Sequence, residues 1–404
     1  MKKTNPVFAD ARIGHHANRR RAAAADYPEA LRRHFSLAAT AEAAGEISAW
    51  PGYRPSALTP LRGLAAEFGL GAIHYKDESG RFGLGSFKAL GGAYAVLGVL
   101  QQQIQGHTGE RASARDLEGG RFSNLAARTT VVTATDGNHG RSVAWGAARF
   151  GCGCRIYIHA KVSERRARAM SELGAEVVRI RGNYDESVRL AAAHADANGW
   201  HLVSDTSQPG YTDLPARVMA GYSVMMEEIV AQLPSRPPRA GAGFTHVFVQ
   251  GGVGGLAASV AAYLWEKWGA GRPRFIVVEP QLAACLFQSA RQGRATEVRI
   301  TEETVMAGLS CGEVSMLAWE VLSAAADDFL TIADDLVAPV MRMLAHGEAR
   351  VEAGESAVAG LAACLAACAN PPLAAALGLN QRSQVLVFGT EGATDRDIYR
   401  AMVS

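Results

Sequence analysis

Strands and helices alternate through the middle of this chain, and that alternation restricts the fold more than any other feature. TTVVTAT (129–135) is rich in β-branched residues and reads as a strand, DGNHG (136–140) as a turn, and RSVAWGAARFG (141–151) as a helix closed by Gly151. RIYIHA (155–160), SERRARAMSELG (163–174) and EVVRIRG (176–182) repeat the sequence strand, helix, strand. NYDESVRLAAAHADANG (183–199) is then a helix and WHLVSD (200–205) a strand. A helix of roughly 10 to 15 residues between two strands returns the chain to the end it started from, so the strands pair in parallel. The expected class is α/β, with mostly parallel twisted sheets flanked by helices.

Further elements lie on both sides of this stretch. Residues 61–68 read as a helix, 71–78 as a strand and 87–103 as a helix. The polar, Gly-bearing run 108–128 reads as an exposed excursion, and the Pro/Arg/Gly run 233–243 as a linker. Beyond it, THVFVQ (245–250) and RFIVVEP (274–280) are continuous apolar strands enclosing the helix 256–269. EAGESAVAGLAACLAACA (352–369) reads as a helix with a Gly-Glu-Ser turn at its start, and QVLVFGTEGATD (384–395) as a last strand and loop.

Composition excludes several functions. In 404 residues the net charge is +2, which gives no electrostatic footprint for nucleic acid. No apolar run reaches the roughly 18 to 20 residues that a membrane helix needs, and the amino terminus lacks an apolar signal core. The expectation is a cytoplasmic protein. The six cysteines form no zinc pattern, so no metal is expected.

Four loops carry chemistry. Gly251-Gly252-Val253-Gly254-Gly255 joins a strand to a helix, where backbone N–H groups and the helix N-terminus can wrap a phosphate. No Lys-Ser/Thr follows, so it is not a Walker loop, and the spacing does not fit a dinucleotide fingerprint. Thr135-Asp136-Gly137-Asn138-His139 follows a strand, at the end where open sheets place ligands. Asp136 reads either as a general base or as a helix cap, and Asp205 either as an acid of the site or as a turn residue. The fourth loop is Gly389-Thr390-Glu391-Gly392. Lys88, set among Ser86, Phe87, Ala89 and Leu90, has an apolar pocket that would lower its pKa and make it a nucleophile.

Taken together, KDESGRFGLGSFKALGGAYAV (76–96) and these loops resemble the fold type II enzymes that use pyridoxal 5'-phosphate (PLP), the tryptophan synthase β and threonine dehydratase group. The segment is most similar to the diaminopropionate ammonia-lyase branch of that group. The resemblance implies that Lys88 carries PLP beside Phe87, and that Gly251, Gly252, Val253, Gly254 and Gly255 hold its phosphate. It further implies that Asn138 faces the phenolic oxygen and Thr390 the ring nitrogen. Thr135, Asp136 and Gly137 would bind the substrate, with Lys88, Asp136 and Asp205 catalytic. Relatives often have Ser where this chain has Gly389, and Trp-Glu where it has Gln208-Pro209. Two domains are expected, 1–90 with 226–404 as the large PLP-binding domain and 91–225 as a small inserted one. The implied reaction is elimination from 2,3-diaminopropionate to pyruvate and two ammonia, by a homodimer. A threonine or serine dehydratase, or a PLP-binding amino-acid sensor, is the alternative. Cys285 and Cys311 are implied to lie near the site entrance, where they can pair.

Overall fold

The computed structural model describes residues 6–9, 11–22, 26–135, 137–233 and 243–404. Most of the Pro/Arg/Gly linker therefore lies outside the described residues. The chain divides into two compact units: Met1–Leu37, Pro55–Gly85 and Met225–Ser404 make the first, and Ala38–Arg54 with Ser86–Val224 the second. Relative to the division expected from sequence, 38–54 and 86–90 pack with the second unit. Lys88 thus belongs to the second unit, where the helix it opens has its packing partners.

The strands run β1 (Ile13–Ala17), β2 (Ala57–Pro60), β3 (Ala72–Asp77), β4 (Thr130–Ala134), β5 (Gly153–Ile158), β6 (Glu176–Arg179), β7 (His201–Leu202), β8 (His246–Gln250), β9 (Arg274–Pro280), β10 (Asp328–Ile332) and β11 (Gln384–Gly389). In the first unit seven strands are ordered β1-β10-β9-β8-β11-β3-β2. Its inner pairings are parallel, and the edge strands β1 and β2 run antiparallel to their neighbours. β8 is buried along its whole length, which is why THVFVQ carries no polar alternation. The helix Ala359–Ala369 is apolar all round and lies inside the core against β8 and β9. It begins later than expected from the run 352–369. Residues 354–358 form an irregular turn, because Ser356 N–H and Gly354 N–H donate to Glu391 rather than to a helix.

In the second unit four parallel strands are ordered β6-β5-β4-β7. The run 108–128, expected to be an exposed excursion, forms the short helices Ala114–Glu118 and Ser123–Arg128. Leu117, Phe122 and Ala126 bury there, and Ser113 and Asp116 close a capping box, so the polar residues mask an apolar underside. The helix Asn138–Phe150 starts three residues earlier than expected and includes Asn138 and His139 in its first turn. It packs on the helix Lys88–Thr108, where Ala93 N–H donates to Ser142 Oγ at 3.0 Å.

Candidate active site

In the second unit Lys88 is the first residue of its helix. Its ammonium lies 5.3 Å from the Phe87 ring centroid and 5.5 Å from that of Tyr222, two aromatic faces that favour a cation. Lys88 Nζ donates to Asp205 Oδ2, and the two side chains are only 21% and 17% exposed. Burial works against the charge on Lys88, but the Asp205 carboxylate and Tyr222 outweigh it and hold the amine above its ordinary pKa. The low pKa expected from the apolar surroundings is therefore corrected: the sequence neighbours make the pocket, but a carboxylate 117 positions away sets the charge. Burial likewise opposes ionisation of Asp205, but the Lys88 ammonium overrides it, so the carboxyl titrates below the usual range.

Asp205 sits in the loop after β7, which is shorter than the expected strand 200–205. Tyr211 ties that loop back: its hydroxyl accepts from Ser204 N–H at 3.0 Å and donates to Leu202 O at 2.8 Å. His139 is buried, and its Nε2 donates to Val203 O at 3.0 Å. That bond leaves Nδ1 as the acceptor nitrogen of a neutral ring, 3.9 Å from Asp205 Oδ2. Burial lowers the His139 pKa, which favours this neutral form. Sequence reading named His139 within its loop without giving it a role, and passed over Tyr222. Thr135 is buried and its Oγ1 accepts from Gly137 N–H at 3.2 Å. Asp136 lies outside the described residues.

In the first unit the glycine loop leaves β8 and enters the helix Gly255–Trp268. Gly252 has φ +64° and Gly254 φ +97°, backbone that side chains rarely tolerate, and a Cβ on Gly254 would stand 2.9 Å from the Ala318 side chain. Gly254 is the N-cap and offers no side chain to the first-turn N–H groups. Val253 O accepts from Ser315 N–H at 2.9 Å, and Gly251 N–H donates to Val278 O at 2.8 Å, so the loop is anchored at both shoulders. Behind it Glu279 is fully buried, accepting from the N–H groups of Leu286 and Phe287 at 2.9 and 2.6 Å. Burial pushes its carboxyl up to about 8. Cys285 and Cys311 are not joined in a disulfide.

Thr390 follows β11 and is buried. Tyr75 explains why Gly precedes it: a Cβ on Gly389 would fall 2.1 Å from the Tyr75 ring. The Tyr75 hydroxyl is buried with no hydrogen-bond partner among the described residues. The Lys76-Asp77-Glu78 cluster is not a solvated charge patch. Lys76 Nζ donates to Glu228 at 2.6 Å, and Arg81 bridges Glu78 and Glu228 through four bonds of 2.7 to 2.8 Å, all buried. This network holds the turn Arg81–Gly83, while Gly392 N–H donates to Gly85 O and Glu78 N–H to Gly389 O, at 3.0 and 2.8 Å. Glu228 was invisible in the sequence because its partners are some 150 positions distant.

The family model for pyridoxal-phosphate dependent enzymes matches residues 49–387. The chain belongs to that family. It is 39% identical over 362 residues to diaminopropionate ammonia-lyase of Escherichia coli K12, covering 87% of this chain and 88% of the relative. The Salmonella typhimurium enzyme of that name is 37% identical over 363 residues, covering 87% and 89%. The fold matches the crystal structure of the E. coli enzyme in complex with D-serine, with TM-score 0.87, 35% identity and 97% of each chain covered. A structure of that enzyme with an aminoacrylate-PLP azomethine reaction intermediate matches with TM-score 0.85 at 35% identity, covering 98% of this chain and 97% of the other.

The residues present fit the cofactor of the family. The second unit offers a buried amine, and the first offers a glycine cradle at an uncapped helix N-terminus and a buried hydroxyl beyond the end of a strand, groups of the kind an aldehyde, a phosphate and a ring nitrogen require. Lys88 lies in the second unit, and the glycine loop and Thr390 in the first.

Proposed function

We propose that this PLP-dependent enzyme is a diaminopropionate ammonia-lyase: 2,3-diaminopropionate and water give pyruvate and two ammonia. The observation that carries the reading is the Lys88–Asp205 contact, an amine and a carboxylate in reach of each other in a chain so similar to enzymes of that activity. Lys88 would hold the cofactor, Gly251, Gly252, Val253, Gly254 and Gly255 its phosphate, Asn138 its phenolic oxygen and Thr390 its ring nitrogen. When bound, PLP supplies the electron sink for the α-carbanion.

The chain's own groups then handle the protons. The Lys88 ammonium keeps Asp205 ionised. Once the Lys88 nitrogen is engaged and uncharged, Asp205 loses its cation, its proton affinity rises, and it becomes a base able to take the α-proton. Asp136 is the second acid of the reading, and Thr135 and Gly137 complete the substrate pocket. The β-amino group leaves as ammonia with a proton from Lys88 or one of these acids. Two acids approaching from opposite faces would let both D- and L-isomers react. The likeness to the ammonia-lyases also supports a homodimer, and the absence of a long apolar helix among the described residues is compatible with the cytoplasm.

Relatives called probable D-serine dehydratase, 28% identical over 329 residues in Burkholderia thailandensis, make D-serine the competing substrate. The test is pyruvate release from purified holoenzyme on D- and L-2,3-diaminopropionate, with serine and threonine in parallel and Lys88→Ala as control. Turnover of diaminopropionate that Lys88→Ala abolishes supports the reading. Turnover of serine or threonine alone makes the enzyme a dehydratase. Cofactor binding without any turnover makes it a sensor.

A further inference from the structure

Gln250 is the last residue of β8, and Thr390 comes directly after β11. The two strands are parallel neighbours, so both residues stand at the same end of the sheet. Gln250 is 2% exposed. Its Nε2 lies 2.7 Å from Phe388 O, 3.0 Å from Ala357 O, 3.3 Å from Ser356 O and 3.3 Å from Thr390 Oγ1. Three of these four neighbours are carbonyl oxygens, which only accept. The amide is therefore obliged to turn its nitrogen toward them, since the flipped amide would set oxygen against oxygen. The obligation has a cost: Gln250 Oε1 is buried with no partner among the described residues.

That orientation decides what Thr390 can do. An amide NH2 has two protons to give and no lone pair to accept with. Thr390 Oγ1 can therefore only accept at this contact, and its own proton must go elsewhere. Among the described residues the Thr390 hydroxyl, itself buried, donates to no group. We propose that Gln250 is a positioning residue that commits Thr390 to act as a hydrogen-bond donor, so that the nitrogen it meets is received in its unprotonated form. The irregular 354–358 turn has a purpose in this account, because it supplies two of the carbonyls that lock the amide. The inference rests on the reading that Thr390 meets the PLP ring nitrogen, and it adds what sets the direction of that hydrogen bond. A ring nitrogen held neutral is a weaker electron sink, suited to prompt elimination rather than to a long-lived carbanion.

The test uses holoenzyme reconstituted with PLP carrying 15N in the ring, read by 15N NMR and by the absorbance of the bound cofactor. Thr390→Val should move the ring resonance by removing its donor; if the resonance stays, the Thr390 reading itself falls. Gln250→Met removes the amide at similar volume. It should move the resonance in the Thr390 background and leave it unmoved when combined with Thr390→Val. An unmoved resonance in Gln250→Met, with Thr390→Val shifted, overturns the proposal. So does an equal shift with and without the threonine, since Gln250 would then act only on the fold. Should Gln250→Met fail to load the cofactor, Gln250→Glu decides. Its carboxyl, held protonated by the same three carbonyls, has one proton to give where the amide has two and an oxygen that can accept from Thr390, so the threonine is released and the ring resonance should leave its parent position; a resonance at the parent position overturns the proposal. The one hydrogen bond at stake corresponds to about a tenfold change in PLP affinity.

Discussion

The candidate groups of the two units are built on opposite principles. In the second unit Lys88, Asp205 and His139 are titratable side chains brought into mutual reach, with their charges set by one another. In the first unit the glycine loop, Gln250 and Thr390 are neutral backbone and amide groups fixed by hydrogen bonds that leave them no freedom. Charges are present near those groups, but they are buried in a closed four-ion network or held behind the loop as Glu279. The difference separates two tasks. On the proposed reading, the groups of the second unit change protonation during the reaction, and those of the first hold a phosphate and a ring nitrogen without changing at all.

Substitutions can break this division. Asp205→Asn should have the largest effect, since a positioned general base is worth about 10²–10⁴-fold in rate. Pyruvate release and α-proton exchange should both fall by that order on at least one isomer, with PLP still bound. Exchange at the parent rate on both isomers would remove Asp205 from the chemistry. Glu228→Ala tests the first unit instead. It strands Lys76 in the core and leaves Arg81 with Glu78 alone; losing one partner of a buried ion pair costs about 3–5 kcal/mol, and urea denaturation should register that loss.

Smaller effects sharpen the comparison. Gly254→Ala forces a side chain into φ +97°, a strain of about 1–3 kcal/mol. It should weaken PLP binding in a cofactor titration by about ten- to a hundredfold while leaving the shape of the pH–rate profile alone. Movement of that profile would mean the neutral groups are coupled to the proton chemistry. Glu279 gives the smallest signal. Its folded pKa is raised to about 8 against about 4.3 in the unfolded chain, so the folded state holds the proton more tightly. Its contribution to stability is full below the unfolded value and is lost as pH rises toward about 8. Thermal melts from pH 5 to 8 should show that slope, and Glu279→Gln should flatten it.

Much of the fold was legible because it is written in local periodicity. β4, β5, β8, β9 and β11 coincide closely with apolar runs seen in the sequence. Segments whose character is set by distant partners were not legible. The helices of 108–128 show their apolar side only when Leu117 and Phe122 find a core to bury in. The 354–358 turn looks helical until Glu391 takes its N–H groups.

The same boundary runs through the site. The sequence alone determined the family, and it singled out Lys88, the glycine loop and Asp205 as candidates, because each is a short motif whose residue types already limit what it can do. It also determined the α/β class, since alternating periods of two and 3.6 residues permit little else. Only the tertiary structure decided the charge on Lys88, the burial of Lys76, the closeness of Tyr75 that requires Gly389, and the hold of Gln250 on Thr390. Those outcomes depend on pairs more than 100 positions apart. Electrostatic and hydrogen-bond energies follow distance in space, which no local pattern records.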